Sequence, residues 1–425
     1  MLILHISDLH FRAGEVGTTM DPNAHLRNEM TIDAAKMCAS LGVRPDVIVI
    51  SGDVAFAGAE AEYVFAYEWL EQLCERCQVD LSKIFVIPGN HDIVREIARK
   101  PIVRSVQSAI RTSNELTQEG TMREQLSDSE SGPLLYRSIG PYNDFAEQFF
   151  CSLYPPDRTI CVREVFFRDG SRLRLLGLNS TFLCGERDKP KDLLVDSSAF
   201  QITTEPGIEN LVMCHHPYTW LANGEQLDDH LSSVARILLF GHVHTNRIRL
   251  CRDFIQVSAS AAHPDRVERG WEPGYNLIEL DIAEVDQARF LQARIHVRVW
   301  QQRPGEFVAK HDRGKAVFEH SIRLDSYSDQ IASAEQTQPV ASTVPTPELV
   351  EMTGDQMDDL RTISIRFFKL SASQRAQVVG TLNLLEEGDQ KLPSFERSRR
   401  ALLRAKERHL VEQLATEVNR FTSTN

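Results

Sequence analysis

Seven side chains able to bind a cation each stand just past a short apolar run. Asp8 and His10 follow 2–6, Asp53 follows 47–50, Asn90 follows 84–87, His215 follows 210–214, and His242 and His244 follow 237–240. Carboxylate, carboxamide and imidazole donors without cysteine suit Mn²⁺, Fe or Zn²⁺. Seven ligands are too many for one ion, whereas two ions with a bridging carboxylate fit the inventory. Two such ions would clamp the attacking and leaving oxygens of a phosphoryl displacement.

The elements that must bring these residues together can be read from pattern. Short apolar runs bounded by glycine or proline read as buried strands. Helical spacing appears around Met30, Ala34, Met37 and Leu41, closed by Gly42, and again over 59–77. Alternating strands and helices predict βαβ units in a largely parallel sheet, with ligands at the carboxyl ends of neighbouring strands. Gly241 would let the backbone pass close to a bound group. Between its two histidines, Val243 is expected to face into packing. The segment 94–155 is helical and more polar, and reads as an insertion lying over the site. Strands are expected at 173–178, 254–257, 275–280, 289–300 and 316–324, several of them alternating apolar and polar residues as antiparallel strands with one exposed face do.

At 425 residues, with 42% hydrophobic and 25% charged residues, the chain has room for one large domain and a small one. A net charge of -13 argues against a broad electrostatic grip on nucleic acid. No apolar run has the length of a membrane span and no leader pattern precedes the first strand, so a cytoplasmic protein with no membrane contact is expected. The eight cysteines are scattered and read as buried thiols, including Cys74 and Cys77 inside a helical pattern. From 326 to 347 the composition turns to Ser, Gln, Thr, Ala and Pro, which predicts a linker between a first domain over 1–325 and a helical domain over 348–425. Within the latter, Ser371 is a candidate cap, Gly388 is expected to end the helix that follows, and a basic helix starts near Ser394.

The ordered set Asp8-Leu9-His10, Gly52-Asp53-Val54, Gly89-Asn90-His91-Asp92, His215-His216-Pro217 and Gly241-His242-Val243-His244 resembles the calcineurin-like metallophosphoesterase superfamily over about residues 1–325. The resemblance implies an α/β fold, a four-layer αββα sandwich of two mixed sheets, here followed by a small all-α domain. It implies that Asp8, His10 and His244 bind one metal, that Asn90, His215 and His242 bind the other, and that Asp53 bridges. Mn²⁺ is the first choice of metal. A hydroxide held between the ions would attack phosphorus, while His91 contacts the substrate and stabilises charge or protonates the leaving oxygen. Asp92 either orients His91 or caps a helix beginning at Ile93. Asn90 would also face substrate. His216 reads as lying behind the ligands, and Asn179 as a turn residue or a phosphate contact.

After Asp53 the chain reads Val54, Ala55, Phe56, Ala57, Gly58, without the polar pair or arginine of the superfamily's protein phosphatases. This favours a phosphodiester of a nucleotide or nucleic acid. The tail, with Phe367-Phe368-Lys369-Leu370, the turn at 384–389 and basic last helices, resembles death-like adaptor domains of bacterial conflict systems, which implies a protein partner or self-association and a defence setting. Two other readings are a nucleotide-sensing adaptor recruited through its tail, and a metal-dependent DNA nuclease using the basic helix at 395–408.

Overall fold

Every side chain of β1 (Leu2–Ile6) is buried, as expected of a strand covered on both faces. The chain then forms α1 (Ala24–Leu41), whose last turn closes on Gly42 in the left-handed conformation, the all-buried β2 (Val47–Ile50), α2 (Glu60–Cys77) and β3 (Ile84–Val86). The computed structural model describes residues 1–265, 270–324 and 354–422. The 326–347 segment expected to be a linker lies outside the described residues.

Five helices fill the insertion: α3 (Arg95–Ala98), α4 (Pro101–Arg111), α5 (Glu115–Ser127), α6 (Ser131–Tyr136) and α7 (Gly140–Ala146). They are tied to the loop after the next hairpin, where Gln107 donates to Phe182 O at 3.1 Å and Arg111 pairs with Asp188 at 3.0 Å. Next come β4 (Cys161–Phe166), β5 (Arg172–Gly177), β6 (Ile208–Cys214), α8 (Gly224–Val234), β7 (Ile237–Phe240), β8 (Arg247–Leu250) and β9 (Ile255–Ser258). The long β10 (Gly274–Val285) and β11 (Ala288–Gln302), with β12 (Gly305–Ala309) and β13 (Phe318–Arg323), complete the strands.

These strands make two mixed sheets. One has the order β12-β11-β10-β1-β2-β3, with β13 on the same edge of β11 as β12; the other runs β4-β5-β6-β7-β9-β8. β1, β2 and β3 are parallel, as are β5, β6, β7 and β9, while the outer pairings are antiparallel. One apolar core takes side chains from both sheets and from α1, α2 and α8. The result is a four-layer sandwich with helices outside.

Cys74 and Cys77 lie in this core, so their spacing reflects helix packing. Three strands were not read from the sequence. β4 and β12 alternate in burial without an apolar run, and β8 is a mostly exposed edge. Among the described residues no helix is long and apolar enough to cross a membrane.

The tail forms α9 (Gly354–Lys369), α10 (Ala372–Thr381), α11 (Ser394–Glu407) and α12 (Val411–Thr422) around a second apolar cluster. Ser371 caps α10 by accepting from Gln374 N, with the Gln374 side chain returning to Ser371 N. The helix expected to run to Gly388 stops earlier, at Thr381, because Asn383 turns left-handed and Gly388 falls in a separate 3₁₀ turn. Phe150 of the first domain is buried in the tail's cluster, and Ile365 of α9 is buried in the main core.

Candidate metal centre

The carboxyl ends of β1, β2, β3, β6 and β7 meet where the two sheets stack, and each delivers a ligand-type side chain. Asp53 Oδ2 stands 3.3 Å from His10 Nε2 and 3.2 Å from His215 Nε2. Asn90 Oδ1 lies 3.2 Å from His215 Nε2 and 2.9 Å from His242 Nδ1. On the other side, His244 Nε2 is 3.2 Å from Asp8 Oδ1. Ligand atoms of Asp8, His10 and His244 gather within 4.8 Å, as do those of Asp8, Asp53 and His215, of His10, Asp53 and His91, and of His215, His216 and His242. All seven residues expected as ligands therefore converge.

The donor chemistry fits divalent cations. His215 Nδ1 is 2.8 Å from the Ser51 carbonyl and His10 Nδ1 is 3.4 Å from that of His263. A carbonyl only accepts, so each Nδ1 carries a proton, and with a cation bound each ring would turn the lone pair of Nε2 toward Asp53 and the ion. Lone pairs from two imidazoles, a carboxylate and Asn90 Oδ1 would then face one another, an arrangement that needs a positive charge between them. Asp8 Oδ2 is buried with no hydrogen-bond partner, a second acceptor awaiting a cation. With protons alone to fill the gap, burial opposes charge on His215, but Asp53 and Asp8 outweigh it and push its pKa up to about 9. Burial likewise opposes ionisation of Asp8, yet His244 and His215 bring it down to about 2. Burial, reinforced by His215, lowers His242 to about 4, which keeps it neutral and ligand-competent.

The backbone is strained at the same positions. Asp8, His10, Asp53, His242 and His244, five of the seven, have φ between 47° and 67°. Left-handed backbone costs a side-chain-bearing residue about 1 kcal/mol or more and concentrates where function demands it. Backbone bonds Asp8 N to Gly52 O and His10 N to Asp53 O, both 3.0 Å, lace the first two loops together. Gly241 is required by packing against the chain itself, since a Cβ there would sit 2.5 Å from Ser7 Oγ and 2.8 Å from His215 Nδ1.

His91 Nδ1 is 2.8 Å from Phe56 O, which fixes the proton on Nδ1 and leaves Nε2 free for the site, while His91 N donates to Asp53 Oδ1 at 2.7 Å. Asp92 neither orients that ring nor caps a helix at Ile93; the nearest helix begins at Arg95. Fully buried, it accepts from Gly89 N at 2.8 Å, Ala55 N at 2.9 Å, Val54 N at 3.2 Å and Tyr63 OH at 2.9 Å. It clamps the Asp53 and Asn90 loops to each other. Burial, with Asp53 nearby, raises its pKa to about 7. His216 stands behind His242, its Nδ1 2.7 Å from Ser180 Oγ. Asn179 accepts from Thr181 N and Oγ1, both at 2.8 Å, as a turn asparagine, and shares no hydrogen bond with the cluster. Val243 does not pack inward; it is 38% exposed beside the site.

Several residues of the site carried no recognisable signal. Phe56 lies against His91 at 5.0 Å with Arg12 stacked 3.8 Å over it, and Trp220 meets His242 edge-on at 4.2 Å. Behind the ligands a buried chain runs from Asn246 Nδ2 to Asn276 Oδ1 at 3.0 Å, from Asn276 Nδ2 to His5 Nδ1 at 3.2 Å, and from His5 Nε2 to Ser51 Oγ at 2.9 Å. It joins the loop of His244 to that of Asp53. A polar residue inside an apolar strand, such as His5, was the one available hint.

Comparison with known proteins supplies a family. The family model described as calcineurin-like phosphoesterase matches residues 1–246, and that of the GTPase-associated adaptor domain matches 359–420. Glycerophosphodiester phosphodiesterase GpdQ of Enterobacter lignolyticus (strain SCF1) is 35% identical over 94 residues, 22% of this chain and 30% of its own. The uncharacterized metallophosphoesterase-like protein YydB of Bacillus subtilis (strain 168) is 21% identical over 263 residues, 58% of this chain and 49% of its own. The chain thus spans less than half the length of these relatives. Among solved structures, GAP50 of Plasmodium gives a TM-score of 0.36 at 9% identity, covering 81% of this chain and 98% of its own. Vacuolar protein sorting 29 of Cryptosporidium parvum gives 0.31 at 10%, covering 76% and 98%.

Proposed function

Because the chain belongs to the calcineurin-like phosphoesterases, matched over residues 1–246, we propose that it is a dinuclear-metal-dependent phosphodiesterase acting on nucleotide or nucleic-acid diesters. The observation that carries this reading is Asp53 Oδ2 standing between His10 and His215 with their Nε2 atoms turned toward it. Asp8, His10 and His244 would hold one divalent ion, Asn90, His215 and His242 the other, and Asp53 both, with Mn²⁺ the first choice for such mixed oxygen and nitrogen donors. Ions bound there supply acidified water and neutralise charge on the phosphate.

The remaining chemistry belongs to the chain. His91 presents Nε2 to the substrate because Phe56 O occupies its other nitrogen, so the imidazolium form, protonated on both nitrogens, would pass its Nε2 proton to the departing oxygen and keep the one on Nδ1. Asp92 holds the two loops in register. Phe56 and Ala57 stand where protein phosphatases of the superfamily place polar groups, and the GpdQ relative is named as a phosphodiesterase. Both favour a diester over a phosphomonoester.

The tail supports recruitment of a protein partner more than cleavage of DNA. In its basic helix, Arg399 pairs with Glu147, Arg400 with Glu396 and Asp389, Arg404 with Asp389 and Glu386, and Arg408 with Glu386, so these charges are spent within the chain. A nucleotide-sensing adaptor remains the second reading, favoured by the match to an adaptor domain.

Incubation with Mn²⁺ and bis(p-nitrophenyl) phosphate should release p-nitrophenolate, and Asp53→Ala or His242→Ala should abolish it. Absence of turnover with every divalent metal tried would overturn the enzymatic reading.

A further inference from the structure

Two of the chain's four tryptophans, Trp271 and Trp300, line one cleft of about 360 Å³ together with Gln302 and Arg303. Ligand clefts begin at roughly 300 Å³, so this one suits a single small ring system. Both walls are held in place. Trp271 Nε1 donates to Pro264 O at 3.2 Å, and Trp300 packs edge-on against Phe307 at 5.2 Å and His25 at 5.7 Å. Trp300 and Phe307 also face each other across the β11–β12 hairpin. Each indole is half-buried, which leaves apolar ring surface open to the cleft.

Arg303 stands at the turn of that hairpin, exposed, and makes no hydrogen bond or ion pair among the described residues. Nearby, Glu272 is neutralised by Lys310 at 2.5 Å. In a chain of net charge -13, an uncommitted guanidinium beside two indoles is a specific combination. Indoles stack on any nucleobase, and a guanidinium matches phosphate oxygens. A short stretch of backbone links the cleft to the candidate metal centre: Pro264, whose carbonyl anchors Trp271, directly follows His263, whose own carbonyl faces His10 Nδ1 at 3.4 Å.

We propose that this cleft binds a nucleoside phosphate, its base against Trp271 and Trp300 and its phosphate on Arg303, and that it favours nucleotidyl esters as substrates of the candidate metal centre. The binding stands by itself; only its role in substrate choice rests on the phosphodiesterase reading.

The test is a tryptophan-fluorescence titration of the full chain in EDTA, so that no metal–phosphate contact contributes. Adenosine monophosphate should quench emission, ribose 5-phosphate should bind far more weakly, and Arg303→Gln should weaken the nucleotide about tenfold, as loss of a charge-assisted hydrogen bond does. Trp300→Ala should also weaken it, and Trp300→Phe, which keeps a stacking ring, should restore much of the affinity. Because Arg303 is exposed, its variant tests the idea even where the Trp300 variants fold poorly. An affinity for adenosine monophosphate unmoved by Arg303→Gln, or ribose 5-phosphate binding equally well, would overturn the proposal. Tighter binding of a hexadeoxyadenylate than of the mononucleotide supports it with a strand as the source of the ligand; the reverse supports it with a free nucleotide. Wild-type hydrolysis of bis(p-nitrophenyl) phosphate, which has no nucleobase, reports separately on the phosphodiesterase reading.

Discussion

His91 is fastened at two points, its amide to Asp53 and its Nδ1 to Phe56 O, so that only Nε2 can exchange a proton with substrate. If it protonates the leaving oxygen, His91→Ala should lower kcat by roughly 10²–10⁴ for a diester with an alkoxide leaving group. The loss should be much smaller for a p-nitrophenyl ester, whose leaving group needs no proton. Steady-state rates on the two esters decide this, and equal losses would reduce His91 to a phosphate contact. Asp92→Ala deprives three backbone amides and Tyr63 OH of their acceptor. At roughly 1 kcal/mol or more for each of these orphaned groups, urea denaturation should show a loss of about 4 kcal/mol or more. The candidate ligand residues were legible because each follows an apolar strand. Asp92's work was not, because Val54, Ala55 and Tyr63 lie about thirty residues and more away in sequence, and only the fold puts them beside it.

Among elements, the contact between tail and first domain is the least expected from sequence. α9 and α11 pack on the 3₁₀ turn at Glu147–Phe149, where fully buried Glu147 meets Arg399 at 3.1 Å. Arg158 bonds Glu396 of α11 at 2.7 Å, and Lys369 pairs with Glu71 at 2.6 Å. Burial, opposed by Arg399 and Arg158, raises the Glu147 pKa, so the pair is held against a desolvation penalty. Removing one partner from such a pair costs about 3–5 kcal/mol, so Glu147→Gln should lower the midpoint of thermal unfolding by several degrees, and a double-mutant cycle with Arg399→Gln should show strong coupling. By contrast, Ser371→Ala should cost about 1 kcal/mol, the worth of a cap. That cap was readable from local chemistry alone. The contact was not, since Arg397 to Arg408 look like one solvated basic face until Glu147, Asp389 and Glu396 are seen opposite.

Across the whole molecule, buried histidines outside the ligand set, His5 and His263 among them, make stability depend on pH. Burial brings His5 down to about 4 and, reinforced by Arg27, His263 to about 3, from an ordinary value of 6.5. The unfolded chain therefore binds more protons than the folded one in this window, and stability is lost as pH falls from about 6.5 toward 4, by roughly 3 kcal/mol for each histidine at the lower end. Unfolding midpoints measured between pH 4 and 8 should show this slope, and His5→Gln should flatten it; an unchanged slope would assign it to other groups. The two-sheet architecture was legible because its inner strands carry short apolar runs such as Val47–Ile50 and Ile237–Phe240, whereas the edges β4, β8 and β12 share their burial with water and carry no such mark.

The burial of Phe150 among the tail's side chains has a consequence for inheritance. An adaptor joined only through a tether can be shuffled between genes without regard to its host. This one has its seat in the first domain, with Phe150, Glu147 and Arg158 on one side and Arg399, Glu396 and Ile365 on the other. A tail transplanted from a relative should dock only if it brings matching residues at the positions of Ile365, Glu396 and Arg399. Chain ending at residue 325 should expose the vacated seat and aggregate.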